Sequence, residues 1–241
     1  MLKDWTNFEK TWLLLATLVI TSLSLLWDET FIGFIASISG IICVVLVAKG
    51  KISSYVFGTV NAIAYGYVAY TYGLYGEAQL NWIFYLPLQF VGFALWYKNR
   101  KQTNELKING EDIYAKRLSS KMWGILGVLI ILSYVAYTYF LHGIGSTLAG
   151  IDSLAVVLSV FANFLMIFRF TEQWLLWIVV NVITVVLWVV VLVNSGGNDW
   201  SILAMWIAFL VNSVYGYFNW LKISKDTINT SMLEIENIEA N

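Results

Sequence analysis

Eight long apolar runs divide this 241-residue chain, at about 11–27, 31–49, 53–74, 80–97, 121–141, 147–169, 173–194 and 200–221, and every Lys and Arg falls between them on alternate loops. A spanning helix needs about 20 mainly apolar residues, and only helices or closed barrels satisfy their backbone in lipid. The runs lack the period-two alternation of barrel strands. The expectation is an all-α, polytopic membrane protein with eight transmembrane helices. Lys3 and Lys10 precede the first run, Lys49 and Lys51 follow the second, and seven basic residues fill 98–121. Arg169 marks the sixth turn, and Lys222 and Lys225 follow the last run. The opposite loops carry Asp28, Glu29, Glu77, His142 and Asp199. Positive charge stays inside, so both termini are expected in the cytoplasm.

Composition removes several function classes. The chain is 59% hydrophobic and 12% charged, about half the charge of an ordinary soluble domain. A soluble enzyme and a disordered tail are excluded, and a net charge of −1 offers nothing to a phosphate backbone. Cys43 and His142 each stand alone, so no disulfide framework or Cys/His metal set is expected. Neither H-E-x-x-H nor G-x-S-x-G occurs, which argues against an intramembrane enzyme. No catalytic residue, metal or cofactor is expected. The first run follows Lys3 and Lys10, yet Asp4 and Glu9 weaken its basic end and no cleavage site follows. It reads as a retained helix rather than a signal peptide.

The polar loop 99–120 separates halves that resemble each other. Lys49 aligns with Arg169 and Asn61 with Asn181 at a spacing of 120. Gly92-Phe93-Ala94-Leu95-Trp96-Tyr97-Lys98 resembles Gly216-Tyr217-Phe218-Asn219-Trp220-Leu221-Lys222 with four residues more, accommodated in the loop Asn194–Asp199. This predicts two parallel three-helix repeats, 31–98 and 147–222, joined by a linker helix 121–141. An N-terminal helix 11–27 stands before them and a tail 223–241 after. Trp12 and Trp123 open the helices before each repeat, so four-plus-four is an alternative description. Parallel repeats are one plan for small-solute transporters, with substrate held near the midplane.

Polar groups at membrane depth face a cavity or a partner helix. Trp174, Trp177, Asn181, Thr184 and Trp188 recur at spacings of three and four, which puts them on one helical face. An amide between indoles suits a flat heteroaromatic with polar substituents, and a cationic ring gains further from the indole faces. Trp174 could equally belong to an interfacial belt and Asn181 to helix–helix glue. Asp152, Ser159 and Asn163 share a stripe in the sixth run. Asp152 reads either as an N-terminal cap, which its position favours, or as a neutralising group at a cavity mouth. The fourth run carries Asn81, Tyr85 and Gln89 around Pro87, the one proline of the chain, where a kink is expected. Asn61 and Asn212 are further candidates on the third and eighth runs.

Trp174-x-x-Trp177-x-x-x-Asn181 resembles the WxxWxxxN motif of the Pnu family of bacterial vitamin transporters, and Ser54-x-x-Phe57-x-x-x-Asn61 reads as a degenerate first-half copy. Tyr75-Gly76-Glu77-Ala78-Gln79-Leu80-Asn81, then Phe84 to Gly92, and Asn212-Ser213-Val214-Tyr215-Gly216-Tyr217 are also similar to the family's nicotinamide riboside branch. The resemblance covers about 30–222. It implies a fold like that of the SWEET sugar transporters, a homotrimer, and a place in the bacterial cytoplasmic (inner) membrane. It further implies uptake of nicotinamide riboside by facilitated diffusion, drawn inward by a separate cytosolic riboside kinase. Carried over by residue, Trp174, Trp177 and Asn181 become substrate contacts and Gln89 a ribose or amide partner. Asn163 and Asp152 become gate or cavity-lining candidates. Thiamine, riboflavin and deoxynucleoside transporters share the plan, so another vitamin or nucleoside is the alternative substrate.

Overall fold

The computed structural model describes residues 5–72, 75–105, 115–143, 149–195 and 198–239. Among them the chain is helical almost throughout: α1 (Asn7–Leu26), α2 (Phe31–Ala48), α3 (Ser54–Thr71), α4 (Tyr75–Gln79), a π-helical stretch Leu80–Tyr85, α5 (Leu86–Glu105), α6 (Ser120–Gly143), α7 (Ala149–Ile167), α8 (Gln173–Ser195) and α9 (Trp200–Glu239). α4, the π stretch and α5 follow without a break, so these elements make eight rods. Five helices are long and apolar enough to cross a membrane: α1, α2, α6, α8 and the part of α9 to Lys225. α3, α7 and the 75–105 rod carry the polar residues Asn61, Tyr65, Gln89, Ser159 and Asn163.

Two helical rods run beyond their expected ends. The fourth apolar run was expected to begin at 80, whereas helix begins at Tyr75 and continues to Glu105, beyond the expected end at 97. α9 likewise runs on through the stretch 223–241, expected to have no packing pattern, as far as Glu239. Neither stretch contains a proline or glycine to interrupt hydrogen bonding past the last apolar residue.

α2 packs against α3 and α9, α8 against α7 and α9, α3 against the 75–105 rod, and α5 only lightly against α7. α2 is the hub. Asn61 Nδ2 donates to Ala36 O at 2.8 Å, Asn212 Nδ2 to Val44 O at 2.9 Å, and Asn219 Nδ2 to Ala48 O at 2.8 Å. These amides staple α3 and α9 to backbone carbonyls of α2, which apolar packing alone could not orient in lipid. α6 touches α7 and otherwise presents apolar side chains such as Leu132, Val135 and Phe140 outward.

α2 and α7 end alike. Gly50 N donates to Val47 O and Lys51 N to Leu46 O, both at 2.9 Å, while Arg169 N donates to Met166 O at 3.0 Å and Phe170 N to Leu165 O at 2.8 Å. Gly50 and Arg169 both take the left-handed conformation, φ 64° and 66°. Each pair is a Schellman cap. Corresponding atoms stand 119 residues apart rather than 120, so backbone geometry pairs Trp174 with Tyr55, Trp177 with Gly58 and Asn181 with Ala62. The turns thus differ by one residue from the spacing of 120 that pairs Asn61 with Asn181.

The bundle ends carry opposite charge. At the basic end α1 is pinned by the buried pair Lys49 Nζ–Glu9 Oε2, 2.7 Å, with Tyr215 Oη donating to Glu9 Oε1 at 2.8 Å. Thr6 and Glu9 also form a capping box. There too, strand-like bonds Lys116 N–Arg169 O (2.7 Å) and Thr171 N–Lys116 O (2.9 Å) and the Arg117–Glu172 ion pair (2.7 Å) dock the segment before α6 onto the α7–α8 turn. At the acidic end, Ser201 Oγ donates to Glu29 Oε1 and lies 2.7 Å from Ser37 Oγ, while Asn198 Nδ2 donates to Asp28 O at 3.1 Å. Burial above all, and then neighbouring Asp199, push the Glu29 carboxyl up to about 7 against the opposing hydrogen bonds of Ser201 and Ser24.

Glu9→Ala breaks the buried ion pair with Lys49, and such a loss costs about 3–5 kcal/mol. Thermal unfolding in detergent should fall by several degrees, with Tyr215→Phe falling less. The folded protein holds the Glu29 proton to near neutrality, whereas the unfolded chain releases it in the ordinary carboxylate range. That contribution is complete below this range and is lost as pH rises through about 7. Unfolding temperature should therefore drop between about pH 5 and pH 8.5, and the drop should flatten in Glu29→Gln.

Candidate substrate site

Where α5 meets α7 only lightly, a cavity opens between α3, the 75–105 rod, α7, α8, α9 and the wall of α2. The space within it that a water molecule can reach is about 130 Å³. The walls are largely apolar and aromatic, with a few polar groups converging on the middle.

Aromatic residues floor the cavity at the basic end. Tyr55 meets Trp96 edge-on at 5.1 Å between ring centroids, and Trp174 meets Trp220 edge-on at 6.1 Å. The two tryptophans Trp96 and Trp220 lie 6.0 Å apart. Trp96 Nε1 donates to Met166 O at 3.3 Å and Trp220 Nε1 to Val47 O at 2.9 Å. Those acceptors are again 119 residues apart, so each indole crosses to the other half of the chain. A Cβ on Gly216 would lie 2.6 Å from the Trp174 ring, and one on Gly92 would collide with Tyr55. Only glycine lets these rings lie flat on α9 and α5.

Above this floor, Trp177 is half-buried and Asn181 is buried. Asn181 Nδ2 donates to Ser213 Oγ at 2.7 Å, and Ser213 Oγ donates to Phe209 O at 2.7 Å. That chain fixes the amide and leaves Asn181 Oδ1 without a protein partner. Opposite stands Gln89, whose Oε1 would lie 2.5 Å from a Cβ on Gly58. The position matching Trp177 in the first half is thus a glycine, and its space belongs to Gln89.

The π stretch positions the residues between. Leu86 N donates to Asn81 O, five residues back, immediately before Pro87. Proline has no N–H and its ring crowds the carbonyl four residues earlier; widening the preceding turn relieves that crowding and rotates Asn81 and Tyr85 toward the cavity. The expected consequence of Pro87 was a kink, and the observed one is this widened turn. Asn81 Nδ2 donates to Glu77 O at 2.9 Å.

Of the residues singled out in sequence, Trp174, Trp177, Asn181, Gln89, Asn163 and Asn61 line the one cavity. Asn212 does not line it; it is held on α2 by Val44 O. Asp152 falls in the first turns of α7, and its side chain lies outside the described residues. Trp188 continues the stripe but sits beyond the cavity, donating to Tyr65 Oη at 3.0 Å. Sequence reasoning passed over Tyr55, Ser213 and Glu77 as lining groups. Tyr55 becomes visible once the halves are aligned at 119. Ser213 and Glu77 stood inside stretches that resemble the family without being read as contacts, Glu77 also as a loop charge. Among the described lining residues there is no Lys, Arg or His, and Glu77 carries the one formal charge.

Comparison with known proteins agrees with this geometry. The family described as nicotinamide mononucleotide transporter matches residues 30–222. The nicotinamide riboside transporter PnuC of Neisseria mucosa is 41% identical over 221 residues, covering 92% of this chain and 83% of that protein. The PnuC of Haemophilus influenzae is 37% identical over 223 residues, covering 92% and 93%. A crystal structure titled as that of the vitamin B3 transporter PnuC superposes with a TM-score of 0.83 at 41% identity, over 92% of this chain and 94% of that one. Spanning helices around a cavity floored by aromatic rings, and a match over most of the length, lead to one conclusion: the chain is a multi-pass membrane transporter belonging to the nicotinamide mononucleotide transporter family.

Proposed function

We propose that this chain takes up nicotinamide riboside across the bacterial cytoplasmic membrane by facilitated diffusion, both termini lying in the cytoplasm. The observation that carries this reading is the cavity itself. Trp177 and Trp174 offer indole faces, Asn181, Gln89 and Asn163 offer amides, and no described lining residue is basic. A flat cationic ring bearing a carboxamide and a neutral ribose matches that set. A phosphate would enter it without a counter-charge, which favours the riboside named for the PnuC relatives over the mononucleotide in the family's description.

In this reading the pyridinium stacks on Trp177 above Trp174, Asn181 Oδ1 accepts from a ribose hydroxyl or the carboxamide, and Gln89 holds the other polar end. Asn61 and Asn163 complete the walls. Asn212 keeps its packing role, and Asp152 remains the candidate at the outer mouth. The turns repeated at 119 residues and the crossed bonds of Trp96 and Trp220 support two parallel three-helix repeats, with α6 as the linker and α1 added in front. Rocking of one repeat against the other would part the aromatic floor and release the substrate inward. A cytosolic kinase trapping the riboside as its phosphate would give the flux its direction, and the outward apolar face of α6 and its neighbours is free for lipid or for a homotrimer.

The test is a titration of detergent-purified protein with nicotinamide riboside, nicotinamide mononucleotide, thiamine and riboflavin, followed by tryptophan fluorescence or heat. The riboside should bind, and the mononucleotide about a hundredfold more weakly. Trp177→Ala and Asn181→Ala should each lower riboside affinity about tenfold or more, equivalent to about 1.4 kcal/mol. Asn212→Ala should lower stability and leave affinity near wild type. Preference for another vitamin would move the substrate, and undiminished binding by Trp177→Ala would overturn the site.

A further inference from the structure

The indole–amide site accounts for the shape and hydrogen bonding of a substituted ring but holds no charge of its own. The carboxylate of Glu77 lies elsewhere in the same cavity. Glu77 stands on α4, twelve residues before Gln89 on one continuous rod, so roughly 15–18 Å separate them along the axis. It is at the acidic end of the bundle, half-buried, with Tyr65 Oη 3.5 Å from its Oε2. Tyr65 in turn is fixed by the Trp188 indole N–H and packs edge-on against Trp206 at 5.6 Å. Tyr65, Trp206 and Glu77 all line the cavity. A carboxylate beside aromatic faces in partly desolvated surroundings is a setting in which a diffuse organic cation is stabilised and an anion repelled.

We propose that Glu77, with Tyr65 and Trp206, forms a cation-selecting station at the acidic mouth of the cavity, distinct from the indole–amide site deeper in, and that it sets the preference for positively charged heteroaromatic rings over neutral ones of the same shape. The proposal rests on the riboside reading above. A substrate with a permanently charged ring nitrogen meets this station first, is concentrated there, and passes inward to Trp177 and Asn181. Because that ring charge does not titrate, selection acts on the ligand class and not on its protonation.

The experiment uses the full chain in proteoliposomes and compares uptake of nicotinamide riboside with its reduced dihydropyridine form, which has almost the same shape and no charge. Wild type should favour the cationic form by tenfold or more in kcat/KM. Glu77→Gln should raise KM for the cation at least tenfold, leave kcat nearly unchanged, leave uptake of the neutral form unaltered, and so erase the preference; Glu77→Asp should retain most of it. As a check on wild type that needs no variant, KM for the cation alone should rise severalfold between about 20 mM and 0.5 M salt, since exposed-mouth attraction is screened. No uptake of either form by wild type would overturn the riboside reading itself. Uptake of the cation with an undiminished preference in Glu77→Gln, or with salt affecting both forms equally, would overturn the role of Glu77 and leave the riboside reading standing.

Discussion

A bilayer offers no hydrogen bonds, and this bundle is organised by where its polar side chains find partners instead. The backbone is satisfied within helices. Side-chain amides then have two places to go, a neighbouring helix or a water-filled cavity. Asn61, Asn212 and Asn219 spend their N–H groups on carbonyls of α2, which makes α2 the spine on which both halves hang. Asn181 spends its N–H on Ser213 and keeps its carbonyl oxygen unpartnered. One residue type thus serves both to hold the wall and to face the cavity, and the difference lies in which atom remains unpartnered.

The aromatic floor shows how the two halves depend on each other. Trp96 belongs to the first half and bonds to Met166 in the second, and Trp220 does the reverse at Val47. Neither half closes the cavity with its own indole anchor. Glycines at 92 and 216 let a ring lie directly against the helix, where a Cβ would collide with it. The charged ends act differently. Glu9 with Lys49 holds the first helix from the basic side, and Glu29 with Ser201 ties the α1–α2 turn to the start of α9 from the acidic side.

The membrane character, the eight rods and the sorting of basic residues to one end were legible because each depends on composition over a whole span. The lining roles of Trp174, Trp177 and Gln89 were legible as well, since large or polar side chains at mid-span have few other places to point. The first-half copy of the tryptophan motif was read at a spacing of 120, whereas the two Schellman-capped turns repeat at 119 and bring Tyr55 level with Trp174. Ser54, Tyr55 and Asn61 all line the cavity.

What the sequence determined by itself is what hydrophobicity dictates: how many helices form and which loops are basic. Only the tertiary structure decided which asparagine keeps an unpartnered oxygen beside the cavity and which is a staple, that Gln89 occupies the space left by Gly58, and that Glu77 belongs to the cavity. Those outcomes turn on distances between helices far apart in the chain. No local pattern encodes them, because the same amide or carboxylate is compatible with either role until its neighbours are in place.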